Sequence, residues 1–278
     1  MFNNRKLLIA TKHGKEKIIS PIFEKALGVS CFVTDCFDTD TLGTFTGEIE
    51  RKDDALTTLR KKCGLAMKAN NCDLVIASEG SFGSHPTVFI AKADDELMML
   101  MDSKNNLEIT AREISMDTNF NASFINCDEE LLAFAKLCNF PTQGLILKPA
   151  ERDFTKIIKG ITTFEALWMH FKKFKIEFGG AYVETDMRAN YNPTRMGVIK
   201  KTAIKLLEAV QSECPECGTP GFTITKILRG LKCEWCKNPT QSALSYQYTC
   251  VKCKYTKDEF YPHKKTSEDP SYCDFCNP

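Results

Sequence analysis

A chain of 278 residues, 43% of them hydrophobic, can bury one large core or one core plus a small module. Its 37 Lys and Arg stand against 36 Asp and Glu, so bulk charge signals neither a nucleic-acid nor a membrane partner. No apolar run approaches the roughly 18 residues of a membrane span, and the N-terminus "MFNNRKLLIA" lacks a signal-peptide layout, so a cytoplasmic protein is the expectation.

The first 145 residues alternate between strand and helix patterns. "KLLIATKH" reads as a strand, "GKEKIISPIFEKALG" as a helix closing on Gly28, "SCFVTD" as a second strand and "DTDTLGTFTGEIE" as a loop. A charged helix is expected from about Arg51 to Ala69, with Ala55, Leu59, Cys63 and Ala66 on its apolar face. "DLVIAS" has no polar alternation, as in a central strand covered on both faces. Glu79 follows it directly, in a run of glycines and serines. Two antiparallel strands with a turn near "DSKNN", the helix "DEELLAFAKLC" and the strand "GLILKP" complete an α/β pattern on a mixed sheet.

From about 150 to 210 the pattern turns helical. "TTFEALWMHFKKFKIEFG" carries a core stripe of Phe164, Trp168, Phe171 and Phe174. Asn192-Pro193 opens a last helix with Met196, Ile199, Ala203, Leu206 and Val210 on one face. The expected domains are an α/β body over 1–210 and a cysteine-rich module over 211–278.

Eight of the 14 cysteines form C-x-x-C pairs in that module: Cys214/Cys217, Cys233/Cys236, Cys250/Cys253 and Cys273/Cys276. A two-residue spacer lets two thiolates reach one ion from a tight turn, and two such turns complete a tetrahedron, so two structural zinc ions are expected. Sequential pairing, first with second and third with fourth, is the favoured arrangement, giving tandem zinc ribbons. The alternative is cross-bracing, first with third and second with fourth. His263 reads as a surface residue. The other six cysteines read as buried thiols. Residues 211–278 carry nine Lys and Arg against eight Asp and Glu, so a structural or protein-docking role is favoured over nucleic-acid binding.

Polar chemistry gathers where an open α/β sheet keeps its ligands. Thr11, Lys15 and Lys17 sit at the turn from the first strand into the first helix, a natural phosphate seat, although no P-loop pattern occurs. Glu48, Glu50, Asp53 and Asp54 cluster at the entry to the second helix, more acids than capping needs. Carboxylates converging from this entry and from Glu79 would suit Mg²⁺. Arg188 and Arg195 lie in "ETDMRANYNPTRMG", the only later stretch of similar polar density.

The order strand-"ATKHGK"-helix, acidic helix start, strand-"ASEG" resembles the inosine/xanthosine triphosphatase-like superfamily of purine nucleoside triphosphate pyrophosphatases, which includes the septum-formation-inhibitor relatives. Ala10-Thr11-Lys12-His13 approximates that superfamily's "AT-x-N-x-x-K" turn, Asp53 to Arg60 its "ENA-x-x-K-A-R" helix start, and Ala77 to Ser81 its strand-end acid. The Ser-His-Arg base-recognition run is not found. The resemblance implies an ITPase-like fold with a helical extension and Mg²⁺-dependent pyrophosphohydrolysis of a nucleotide. Asp53 and Glu79 would then be catalytic, Glu48 and Glu50 would assist at the metal, and Thr11, Lys15, Lys17, Arg188 and Arg195 would bind phosphate. The alternative is a protein that binds nucleotide or nucleic acid without cleaving it. The whole chain also looks like uncharacterised bacterial proteins that join such a body to a cysteine-rich tail.

Overall fold

Leu7 to Ala10 are all apolar because β1 (Lys6–Ala10) runs inside a sheet, flanked in parallel by β2 (Ser30–Phe32) and β3 (Leu74–Ser84). The computed structural model from which this is read describes residues 1–34, 53–88 and 90–278. β4 (Lys92–Asp102) and β5 (Leu107–Ser115) extend the sheet antiparallel, in the order β2-β1-β3-β4-β5. The mixed sheet and the turn at 103–106 match the sequence expectation.

α1 (Glu16–Leu27) ends on Gly28 at φ 66°, a left-handed cap that a residue with Cβ adopts only under strain. α2 (Ala55–Asn70) starts later than the expected Arg51. Asp54 is its cap, accepting from the backbone N–H groups of Leu56 and Thr57 at 3.0 Å each. The helix lays Leu59, Cys63, Ala66 and Met67 on Leu8, Val75, Ala77 and Met99. The loop expected over 38–50 lies outside the described residues.

Three differences from the expected organisation matter. First, β3 does not stop at Ser78. It continues through the glycines and serines to Ser84, because β4 supplies hydrogen-bonding partners along its whole length. Ala10 pairs with Ala77, so Ser78 and Glu79 still lie beyond the end of β1. Second, the stretch from about 150 to 210, expected to be mainly helical, also carries strands, and these join earlier ones in a second sheet. β6 (Ala122–Ile125), β7 (Leu145–Lys148), β8 (Ile158–Ile161) and β9 (Ala181–Thr185) form a second sheet, all antiparallel, in the order β6-β9-β7-β8. α3 (Asp128–Leu137) and α4 (Phe164–Phe178) cover it, with Phe171 and Phe174 buried as expected and Phe164 half out in solvent. Strands of four or five residues carry too few side chains to show a period, which is why β6, β8 and β9 were not read from the sequence.

Third, the module is not a tandem of ribbons. β10 (Thr223–Arg229), β11 (Ala243–Thr249) and β12 (Thr256–Phe260) make one antiparallel meander. The chain divides into two units, Met1–Leu207 and Glu208–Pro278, with the division inside α5 (Pro193–Gln211). α5 opens as expected: Asn192 Oδ1 accepts from the Arg195 N–H at 3.0 Å, and Ile199, Ala203, Leu206 and Val210 are buried. Cys63 and Cys138 are buried thiols, Cys31, Cys72 and Cys127 are half-buried, and Cys36 lies outside the described residues. Among the described residues no helix is long and apolar enough to cross a membrane.

Candidate functional site

In the smaller unit the meander decides which cysteines meet. Thr223 at the start of β10 pairs with Thr249 at the end of β11, so the turn before β10 and the turn after β11 share one end of the sheet. Cys214 and Cys217 therefore join Cys250 and Cys253, while Cys233 and Cys236 join Cys273 and Cys276. This is the cross-braced arrangement and corrects the favoured sequential pairing. A strand of seven residues, roughly 20 Å long, separates the first pair from the second, so one ion cannot hold both.

Both groups fit a tetrahedral ion. Four thiolates at about 2.3 Å from a common centre stand roughly 3.8 Å apart. The Sγ–Sγ separations are 3.6 Å for Cys214–Cys253 and Cys217–Cys250, and 3.8 and 3.6 Å for Cys233–Cys276 and Cys236–Cys273. In each turn the residue after the second cysteine donates its N–H to the carbonyl of the first: Gly218, Lys237, Lys254 and Asn277, at 2.8 to 3.1 Å. Gly218, Lys237 and Lys254 take φ of 66°, 62° and 63° to do so. Each group could hold a metal ion, and the all-sulfur donor set is consistent with structural zinc. His263 is exposed, bonds Tyr246 Oη at 2.9 Å and belongs to neither group.

In the larger unit the polar residues converge on the stretch of β3 that outruns β1. Successive residues of a strand point to opposite faces, and Ser78 and Glu79 divide the chemistry between two sides of the sheet. On the α2 side, Glu79 forms a buried ion pair with Lys62, whose Nζ also donates to the Ser78 carbonyl at 3.2 Å. A cleft of about 330 Å³ opens beside them, lined by Asp54, Leu56, Glu79, Ser81, Asp95 and Arg112. Arg112 grips Asp95 through two hydrogen bonds of 2.7 and 2.5 Å.

On the other face Lys15 Nζ donates to Ser78 Oγ at 2.8 Å. Burial, with Arg195 as the next cause, lowers the Lys15 ammonium to a pKa of about 8. Arg195 Nε bonds Glu96 Oε1 at 2.6 Å, its Nη1 bonds the Met187 carbonyl at 2.5 Å, and its guanidinium lies 5.1 Å from the centre of the Phe82 ring. Asp94 is buried nearby, and neither carboxyl oxygen has a hydrogen-bond partner among the described residues. Desolvation, reinforced by the Glu96 charge, pushes it up to about 8. Gly80 faces Glu96 across the β3–β4 ladder, and a Cβ there would run into Glu96 Oε1 and the Arg195 guanidinium.

The expected site is therefore only partly assembled. Glu79 lies in the cleft, but its acidic companion there is Asp54 rather than Asp53, which pairs with Lys61 at 2.5 Å and is not part of the lining. Glu48 and Glu50 lie outside the described residues. Lys15 is on the opposite face of β3 from Glu79. Thr11 Oγ1 accepts from the His13 N–H at 3.3 Å, and Lys17 is exposed. Arg188 donates three hydrogen bonds to Asp186, two from its side chain and one from its backbone N–H, and stacks 4.5 Å from the centre of the Tyr191 ring, while Arg195 is wholly buried on Glu96. Among the described residues the only groups of three or more metal-ligand atoms within 4.8 Å of one another are the cysteines. Lys62, Asp94, Glu96 and Arg112 were missed because each sits in an element that reads as ordinary helix or strand.

The family described as "Domain of unknown function (DUF6671)" matches residues 62–278, more than half of the chain, and the chain belongs to that family. No curated protein sequence matches it.

Proposed function

We propose that this member of the DUF6671 family binds a nucleoside triphosphate in the cleft beside Glu79 and hydrolyses it at the α–β phosphate linkage, on a body of ITPase-like fold, with two structural zinc ions in the tail. The observation that carries the reading is a carboxylate on the wall of a cleft, Glu79 of β3, paired behind that wall with the buried Lys62 of α2, just beyond the end of β1. A phosphate entering there would meet Arg112 on the wall and would compete with Glu79 for Lys62 behind it. The freed carboxylate would then hold a proton or orient water.

The donor set suits Mg²⁺ only in the manner of an ion that takes one or two acids and completes its shell with phosphate and water. Glu79, with Asp54 or Asp95, would hold it, and when bound it would neutralise charge building on the phosphate oxygens. In the tail every protein ligand is a thiolate, which leaves no open position for water, so those ions are structural.

One observation favours binding without cleavage: Glu79, Asp54 and Asp95 are all engaged by Lys62, the α2 N–H groups and Arg112 respectively. The test is pyrophosphate release by the purified protein with Mg²⁺ across a panel of purine nucleoside triphosphates, alongside calorimetry with a nonhydrolysable analogue. Release that is lost in Glu79→Gln supports the enzyme. Affinity without release supports the binding protein. Neither affinity nor release overturns both.

A further inference from the structure

A buried carboxylate is costly unless a cation or N–H groups answer it. Among the described residues Glu79, Glu96, Asp102, Asp186 and Glu268 are buried, and each has a cationic partner: Lys62, Arg195, Arg5, Arg188 and Lys265 respectively. Asp94 is the exception. It is 1% exposed, and both of its oxygens are closed off from solvent without a hydrogen-bond partner. Oε2 of the wholly buried Glu96 is in the same condition. Asp94 and Glu96 stand two apart on β4, so both project from one face of the sheet, the face opposite the Glu79 cleft.

The neighbouring cations are engaged elsewhere. Arg195 takes Oε1 of Glu96 at 2.6 Å, which leaves Oε2 for a second partner. Glu113, facing Glu96 on β5, pairs with Lys205. Lys92 is exposed and donates to Asn121 Oδ1 at 2.7 Å. Lys15 donates to Ser78, which pairs with Met98, four residues along β4 from Asp94. After desolvation, the strongest influence on the Asp94 carboxyl is the charge of Glu96, ahead of Arg195 and Lys15. A single proton can bridge two of the three oxygens and leaves the third without a donor.

Three carboxylate oxygens from two acids form the donor set of a hard ion such as Mg²⁺, Mn²⁺ or Ca²⁺. None of them is open to solvent, so a ligand that reaches all three is of ionic size and not an organic molecule. We infer that Asp94 and Glu96 hold one hard divalent cation on this face of the sheet, with Glu96 shared between the ion and Arg195. The site is separate from any Mg²⁺ bound with Glu79 and does not rest on activity in the cleft.

The test titrates the zinc-loaded full chain with Mn²⁺, reading free Mn²⁺ by electron paramagnetic resonance and melting midpoints on the same samples. Glu79→Gln, which removes the acid of the cleft, should still bind one Mn²⁺ per chain and melt higher with it. Asp94→Asn keeps the shape of the carboxyl and removes its charge. It should bind one Mn²⁺ fewer than the wild type, that ion being held at least 10- to 100-fold more weakly. Asp94→Asn binding as many ions as the wild type would overturn the site. So would Glu79→Gln binding none, which places the ion in the cleft and leaves the proposed function standing. Should Asp94→Asn fail to fold, the Glu79→Gln melts carry the test alone: no rise with Mn²⁺, or an equal rise with K⁺, overturns the site.

Discussion

Arg195 Nε lies 2.6 Å from Glu96 Oε1, with both side chains wholly buried, and the pair joins α5 to the middle of β4. Removing one partner of such a pair leaves the other charge desolvated. Glu96→Ala should therefore lower stability by roughly 3–5 kcal/mol. Gly80→Ala should lower it by about 1–3 kcal/mol, because its Cβ enters the space the pair occupies. Urea unfolding of the two variants checks this, and wild-type midpoints for both would show that the pair contributes little.

Asp94 gives the pH dependence. Its pKa is about 8 in the folded chain, against an ordinary 3.8 once unfolded. Between those values the folded state holds a proton that the unfolded state has released, so this group makes stability fall as pH rises from about 4 to 8, by at most about 1.4 kcal/mol per pH unit. Lys15 acts in the next window. Its pKa falls from 10.5 to about 8, so the unfolded state binds the extra proton and stability rises again above pH 8. Thermal melts should show a minimum near pH 8, and Asp94→Asn should flatten the acid-side arm.

For the cleft, Glu79→Gln should cut pyrophosphate release on the order of 10²-fold. Asp53→Asn should leave it within about twofold, because Asp53 makes only a surface pair with Lys61. Asp54→Ala should cost about 1 kcal/mol of stability through the lost cap. Steady-state rates and melting curves on the same preparations separate the two effects. Equal losses at Asp53 and Glu79 would contradict the placement of Asp54 as Glu79's companion.

Metal stoichiometry tests the cross-brace. The double variant Cys217→Ser/Cys250→Ser damages one group and should retain one zinc per chain, whereas Cys217→Ser/Cys233→Ser damages both and should retain none. Sequential pairing reverses the two results. Atomic absorption on dialysed protein reads the difference directly.

What the sequence determined by itself was local. The C-x-x-C spacing marked the eight cysteines as two sets able to hold a metal ion, since a two-residue turn acts over a few ångströms. Gly28 and Asn192-Pro193 announced helix ends, because caps depend on neighbouring backbone. The unbroken apolar runs of β1 and the first half of β3 marked strands buried on both faces. Glu79 stood out as an acid in a glycine-serine run.

Tertiary structure decided whatever depends on which strands become neighbours. Tandem and cross-braced pairings use the same four turns, and only the antiparallel register of β10 and β11 brings the first turn to the third. β3 runs on through Gly80 because β4 pairs with it, a partner well over ten residues away in the chain. That pairing puts Ser78 with Lys15 on one face and Glu79 with Lys62 on the other, where the sequence had suggested a single site. Arg195, which the sequence offered as a phosphate ligand, is instead wholly buried, because Glu96 waits 99 residues earlier. Spacing along a chain fixes only what a turn can reach; sheet register sets the rest.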